Sequence, residues 1–307
     1  MKWLINFCLL LVLVMSLGAC GTADENDGAP ADTGNTGEGG DGDTAEVDRD
    51  ITITFGVTNW TSTIPPTYIA KEILEDQGYT VELQSADPGA VFTGLSRGDI
   101  DVFMDAWLPD MHADYMERFG DDIDDVATSY PDGELGWVIP DYVDEIDSLE
   151  DIRGNEDLFE GKMYGIEEGG GMTITSREII DELGLELEYV ASSEAGMLTE
   201  ARRHMTSEDP VLFLGWRPHP MFVDYDLKVL EGQEEYFPTS EVHVLVNIDF
   251  EEKAPEAYDF FSNWSIDIGD IEEMIIQIED GADKEEVARQ WIEDNEEHVQ
   301  EMIGNNT

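Results

Sequence analysis

The side chains best placed for chemistry in this chain are indoles. Seven tryptophans occur, and four of them stand where an apolar run gives out. These are Trp60 in "TNWTST", Trp107 in "MDAWLPDMH", Trp216 in "LGWRPHPMF" and Trp264 in "FSNWS". An indole face offers apolar contact together with a negative quadrupole, so it can line a binding cleft as well as fill a core. Core aromatics prefer the middle of elements, whereas aromatics repeated at strand exits, beside Pro or a polar break, fit the wall of a cleft. Plain core burial is the competing reading for each of the four. Trp137, inside a strand pattern, and Trp291, on an amphipathic helix pattern, read as core.

Other reactive residue types add little. His219 follows Pro218, and two roles stay open for it: donating to an anionic group, or bracing Trp216. Arg217 would point away from Trp216 and reads as a surface or inter-lobe contact. Gly169-Gly170-Gly171 precedes a helix pattern, as in phosphate-binding loops. It lacks the Gly-Lys-Ser/Thr ending of a P-loop, and Glu167-Glu168 would repel phosphate, so it reads as a tight turn lining the cleft. There is no Gly-x-Ser-x-Gly elbow and no His-Glu-x-x-His, and the five histidines are scattered. The two cysteines, Cys8 and Cys20, provide no intramolecular disulfide once a leader is removed, and no Cys-based metal site. The expectation is a binding protein, not an enzyme, with no cofactor and no metal.

The elements that must position these residues alternate. Residues 51–57 read as a strand, 64–76 as a helix ended by Gly78, and 80–83 as a second strand, a β-α-β start. A helix at 92–96, a strand at 100–104, a helix at 110–119 and a strand at 135–139 follow. A second α/β set then runs through 148–152 (helix), 162–166 (strand), 172–183 (helix), 187–190 (strand), 194–207 (helix) and 210–214 (strand). The chain returns with a strand at 242–247 and helices at 255–261, 271–279 and 284–302. This predicts two α/β lobes forming a hinged clamshell: lobe I from 51–140 plus 241–307, lobe II from 141–240. A ligand would sit between them at the carboxyl ends of strands.

The chain opens with Met1-Lys2 and an apolar stretch over 4–17, shorter than the ~20 residues a spanning helix needs. Leu17-Gly18-Ala19-Cys20 resembles a lipobox, which implies a signal peptide over 1–19 and lipid on Cys20. Residues 20–50 are rich in Gly, Asp, Glu and Thr and read as a disordered acidic tether. The balance of 72 acidic and 15 basic residues gives a net charge of −57. Such a surface repels nucleic acid and anionic membranes, leaving the lipid as the only membrane contact. At ~1 M salt the Debye length falls to ~3 Å and most of this self-repulsion is screened. A salty exterior is therefore expected, with stability rising steeply from low to molar NaCl; a flat response would exclude it.

Taken together, "AWLPDMH", "GWRPHPMF" and "NWS", in this order, with the opening "NWTSTIPPTYIAKEILEDQGY" and the loop "GIEEGGGM", resemble the substrate-binding proteins of glycine betaine/proline betaine ABC importers. The resemblance covers residues 51–302. It implies a type II periplasmic-binding-protein-like fold, each lobe a mixed, mainly parallel sheet flanked by helices. It also implies a prism of three tryptophans around a trimethylammonium head, which carries over to Trp107, Trp216 and Trp264, with Trp60 a further candidate. The ligand carboxylate would meet backbone amides after the first strand, placed at Thr63 and Ile64. Free amides at a helix start suit an anion, and Pro65-Pro66 are tolerated there, although an ordinary Thr/Ser cap uses the same atoms. Three desolvated cation–π contacts give a gross ~6 kcal/mol before association costs, and an aromatic cage rejects strongly hydrated Na⁺. The implied role is an extracytoplasmic, lipid-anchored receptor that delivers a betaine to an ABC permease and ATPase for osmoprotection. Choline or carnitine is the alternative ligand, and a chemosensory lipoprotein the alternative role.

Overall fold

Ile53, Phe55 and Val57 alternate with smaller or polar neighbours, and Thr52–Val57 forms strand β1 with those three side chains buried. The computed structural model describes residues 50–304, so the expected signal peptide, Cys20 and all but the last residue of the tether lie outside the described residues. After β1 a 3-10 turn at Thr61–Thr63 leads into α1 (Ile64–Asp76), which carries Pro65 and Pro66 in its first turn, where no intrahelical bond is lost. Strand β2 (Thr80–Ser85) returns parallel to β1. Helix α2 (Pro88–Arg97) is capped by Asp87, whose carboxylate accepts the Ala90 N–H, and stops at Gly98 in the left-handed region. Strand β3 (Val102–Leu108) is buried along its whole length, and α3 (Ala113–Phe119) precedes the long strand β4 (Ile123–Pro140).

The second set runs α4 (Leu149–Ile152), β5 (Lys162–Gly165), α5 (Gly171–Leu183), β6 (Glu188–Ala191), α6 (Glu194–Thr206), β7 (Phe213–Arg217), α7 (Met221–Asp224), β8 (Leu227–Val229) and β9 (Ser240–Asn247). Five helices close the chain: α8 (Phe250–Lys253), α9 (Pro255–Ser262), α10 (Ile268–Glu279), α11 (Lys284–Asp294) and α12 (Glu296–Met302). The expected helix over 284–302 is therefore two, broken at Asn295. Among the described residues no helix is long and apolar enough to cross a membrane.

The strands lie in the order β2-β1-β3-β9-β4-β7-β5-β6, with β8 beside β4. Parallel pairs (β1 with β2 and β3, β5 with β6 and β7) lie to the outside, and the antiparallel pairs of β4 and β9 meet in the middle. Strand β4 belongs to both lobes. Its first part pairs with β9 as far as Gly133, and from Glu134 it pairs with β7 and β8. By strand pairing the crossover thus falls near Gly133, ahead of the expected boundary at 140. Three irregularities in the β4–β9 register break the alternation there, which is why only 135–139 reads as a strand in the sequence. The strand expected over 210–214 is instead Phe213–Arg217, starting and ending three residues later, so Trp216 lies within β7, just as Trp107 lies within β3.

Candidate binding site

The carboxyl ends of β1 and β3 from one lobe face those of β5 and β7 from the other, and a cavity opens between them. Its walls are Trp60, Trp107 and Trp216, filled in by Met111, Ile166 and Met172. Each indole is fixed by a neighbour. Trp60 donates its Nε1–H across the cleft to Glu167 Oε1 at 2.9 Å. Trp107 donates to Asp105 Oδ1 at 3.1 Å. Trp216 packs against the His219 ring, centroids 5.1 Å apart and nearly perpendicular. Rotation of any wall would break one of these contacts, so the aromatic faces are preorganised.

Trp264, expected as a wall, lies elsewhere. Its Nε1–H donates to Ser129 Oγ at 2.8 Å and its ring meets Phe260 edge-on. The cause is local: the Ile266 amide donates to the Ser129 carbonyl, which draws the segment after α9 against β4 and into the core. Trp60 takes the third wall. The polar break that marks Trp60 in the sequence marks Trp264 equally, so the local pattern does not separate them.

The expected anion donors are also occupied. The Thr63 amide donates to the Trp60 carbonyl at 3.3 Å, and the Ile64 amide to the Thr61 carbonyl, both inside the 3-10 turn. The Thr61 amide is taken by Glu194 Oε2 at 3.0 Å from the opposite lobe. Open donors stand instead at the start of α5. Gly171 and Met172 line the cavity, and among the described residues neither amide has an acceptor. Glycine is required at 171, because a Cβ there would lie 2.1 Å from the Met111 carbonyl oxygen.

Beside them sits His112. Its Nδ1 accepts the Trp107 amide N–H at 3.0 Å, so the ring proton resides on Nε2. Burial pushes its pKa down to about 3, which keeps the imidazole neutral. The ring stacks on Trp60 and lines the cavity, and among the described residues its Nε2–H has no acceptor. His112 and Met172 line the cavity without having been singled out in the sequence, and Gly171, expected in a turn lining the cleft, had no donor role assigned to it. The available signals were a histidine closely following Trp107, and a glycine run opening a helix.

Carboxylates surround this site without lining it. Glu194, buried at the start of α6, accepts from the Thr61 amide and lies 3.2 Å from His219 Nε2. Together with Glu279 of α10 these form a Glu-His-Glu cluster of metal-site dimensions. His219 Nδ1, however, accepts the Met221 N–H at 3.0 Å, so Nε2 carries a proton and offers Glu194 a donor, not a lone pair to a metal. With both nitrogens engaged by protein, His219 braces Trp216 and Glu194. Further cross-cleft contacts are the Tyr115 hydroxyl on the Gly169 carbonyl at 2.8 Å and Arg217 beside Glu272 at 3.6 Å.

The chain is 30% identical over 139 residues to the glycine betaine/carnitine transport binding protein GbuC of Listeria monocytogenes, across 44% of this chain and 46% of that relative. The match thus spans about half the length of that relative. The fold superposes with a TM-score of 0.77 and 28% identity on the glycine betaine/L-proline-binding protein ProX of Borrelia burgdorferi, covering 81% of this chain and 95% of the other. It superposes with a TM-score of 0.78 and 28% identity on an ABC-transporter choline binding protein in complex with choline, covering 83% and 92%. These are solute-binding receptors, not enzymes. The model of the substrate binding domain of ABC-type glycine betaine transport systems matches residues 51–294, most of the chain, and the chain belongs to that family.

Proposed function

We propose that this protein captures glycine betaine, or a closely related betaine, outside the cell and hands it to an ABC permease and its ATPase for osmoprotection, with lipid on Cys20 as its membrane anchor. One observation carries the ligand assignment: a single cavity is lined both by three tryptophans and by residues whose N–H groups have no acceptor among the described residues. The trimethylammonium head sits among Trp60, Trp107 and Trp216. It has no N–H, so apolar contact and cation–π attraction, ~2 kcal/mol per desolvated contact, are what can hold it. The carboxylate meets the Gly171 and Met172 amides at the positive end of α5, with the Nε2–H of neutral His112 alongside.

The walls come from both lobes, so the ligand makes its full set of contacts only when the lobes are together. That differential contact is what biases the receptor toward the closed, deliverable form. The dispersed acidic surface supports a saline setting, in which an osmoprotectant is also needed.

A second reading, choline as ligand, is supported by the similarity to the choline-binding structure. Choline shares the head and replaces the carboxylate with a hydroxyl, which would leave part of the donor set at α5 and His112 unused. Titration calorimetry in high salt with glycine betaine, proline betaine, choline and carnitine separates the two. The expected result is tighter binding of a betaine than of choline, with Trp216→Ala removing most affinity while the fold persists. Binding to none of the four would overturn the ligand class, and choline binding tightest would replace the first reading with the second.

A further inference from the structure

Behind the cage stands a carboxylate that no neighbouring cation neutralises. Asp105 lies in β3 and is fully shielded from solvent. Its Oδ1 takes the Trp107 indole N–H, and its Oδ2 takes the hydroxyls of Ser62 and Thr63 at 2.8 and 2.6 Å. Trp107 and Ser62 both line the cavity, so one side chain fixes two segments of its wall. Among the described residues no Lys, Arg or His makes an ion pair or hydrogen bond with it. The groups that face it from other elements are the neutral hydroxyls of the 3-10 turn, the carboxylate of Glu194 from α6, and Tyr130 of β4. Burial and Asp105 itself hold the Tyr130 hydroxyl protonated. None of these brings positive charge.

A buried carboxylate without a counterion is expensive, and holding three neutral donors does not by itself call for a charge. A neutral amide would serve the wall nearly as well, since the Ser62 and Thr63 hydroxyls can rotate to accept. What requires the charge is a cation that arrives in the cavity. Building on the betaine reading above, we infer that Asp105 is a specificity-determining residue whose ionised carboxylate supplies the counter-charge for a cationic head in the cage and selects it over an uncharged head of the same shape. It acts by attraction through a water-poor layer, where charges interact far more strongly than in solvent. It also acts through the Trp107 N–H, because an anionic acceptor pushes electron density into the indole and deepens its negative face. Burial pushes the Asp105 pKa up to about 6, against its hydrogen bonds. Affinity for the cation therefore declines as pH falls through that value, and capture near it releases a proton.

The test pairs glycine betaine with 3,3-dimethylbutanoate, which has the same tail and shape but carbon in place of nitrogen. In wild-type protein betaine should bind the tighter. Asp105→Asn should weaken betaine by roughly tenfold or more and move dimethylbutanoate by less than about threefold. Equal weakening of both would mean that Asp105 only supports the wall, and no change in either would mean that it does neither. Should the variant fold poorly, the pH profile of Glu167→Gln, which removes the other titratable carboxylate bonded to a cage indole, decides the matter. Betaine affinity should drop roughly fourfold between pH 8 and 5.5 while dimethylbutanoate affinity, corrected for its own protonation, stays level; parallel profiles overturn the inference. If wild-type protein binds no quaternary ammonium at all, the betaine reading fails first and takes this inference with it.

Discussion

Helices α1 and α5 both turn their first residues toward the cleft, one from each lobe, and both follow a strand of the sheet. Their amides meet different fates. At α1 the 3-10 turn uses the Thr63 and Ile64 amides internally, and the Glu194 carboxylate of the opposite lobe already occupies the Thr61 amide. At α5 the preceding residue, Gly170, is extended and has no side chain to cap with, so the amides of Gly171 and Met172, both of which line the cavity, have no acceptor among the described residues. The positive end of a helix is a general property of its peptide dipoles. Whether it is a ligand site depends on what the protein has already placed there. In this molecule the turn before α1 receives a protein anion from the opposite lobe, and the start of α5 receives none among the described residues.

The sharpest way to break this contrast is at Gly171. A side chain there meets backbone of the opposite lobe, the Met111 carbonyl, which cannot swing aside. Gly171→Ala should therefore keep the lobes from meeting. Overpacking at the upper end of its usual range, ~3 kcal/mol, corresponds to roughly a hundredfold loss of betaine affinity. Thermal stability without ligand should change little, because the clash exists only between lobes. Calorimetry showing affinity within threefold of wild type would remove α5 from the site.

A finer contrast compares His112→Phe, which keeps a ring against Trp60 but has no N–H, with Glu194→Gln. Loss of the His112 donor should cost betaine ~1.5 kcal/mol, roughly tenfold, and leave choline within about threefold, because only betaine brings a carboxylate. Glu194→Gln weakens the cross-lobe bond to the Thr61 amide, so it should lower both ligands by a similar, smaller factor. A change of ligand ratio in the Glu194 variant, or none in the His112 variant, would reverse the roles given to the two helix starts. The His112 variant should also alter acid sensitivity. Its folded pKa lies near 3 against an ordinary 6.5, so its stabilising contribution is present above 6.5 and is lost as pH falls toward 3. Unfolding followed over that range should show a shallower acid decline in His112→Phe.

The parts of this arrangement that were legible in the sequence are those set by local pattern. The helix expected over 64–76 is α1 (Ile64–Asp76), because proline in the first turn and Gly78 just past the end punctuate it. The glycine run before 172 likewise announced α5 and its place in the cleft. What stayed hidden is set by partners distant in the chain. Three register irregularities hide the first two-thirds of β4, and nothing local shows that one strand serves both lobes. The Thr61–Ile64 amides look available until their acceptors, including Glu194 far along the chain, are seen. His112 looked unremarkable because its tautomer is fixed by the backbone amide of Trp107.

The smallest expected effect concerns the two tryptophans that share the same local signature. Trp60 and Trp264 each follow an asparagine and precede a hydroxyl residue, yet one faces the cavity and the other packs on Phe260 with its N–H on Ser129. Trp264→Phe keeps an aromatic ring in the core, loses one buried hydrogen bond and leaves a small void, for ~1–2 kcal/mol of stability. Betaine affinity should stay within about twofold of wild type, read by calorimetry beside a thermal melt. The same change at Trp60 removes part of a cage face and the bond to Glu167 across the cleft, so its loss should appear in affinity. A Trp264→Phe protein that melts normally but binds betaine tenfold more weakly would return Trp264 to the cage, and would mean that the wall is assembled differently when the ligand is bound.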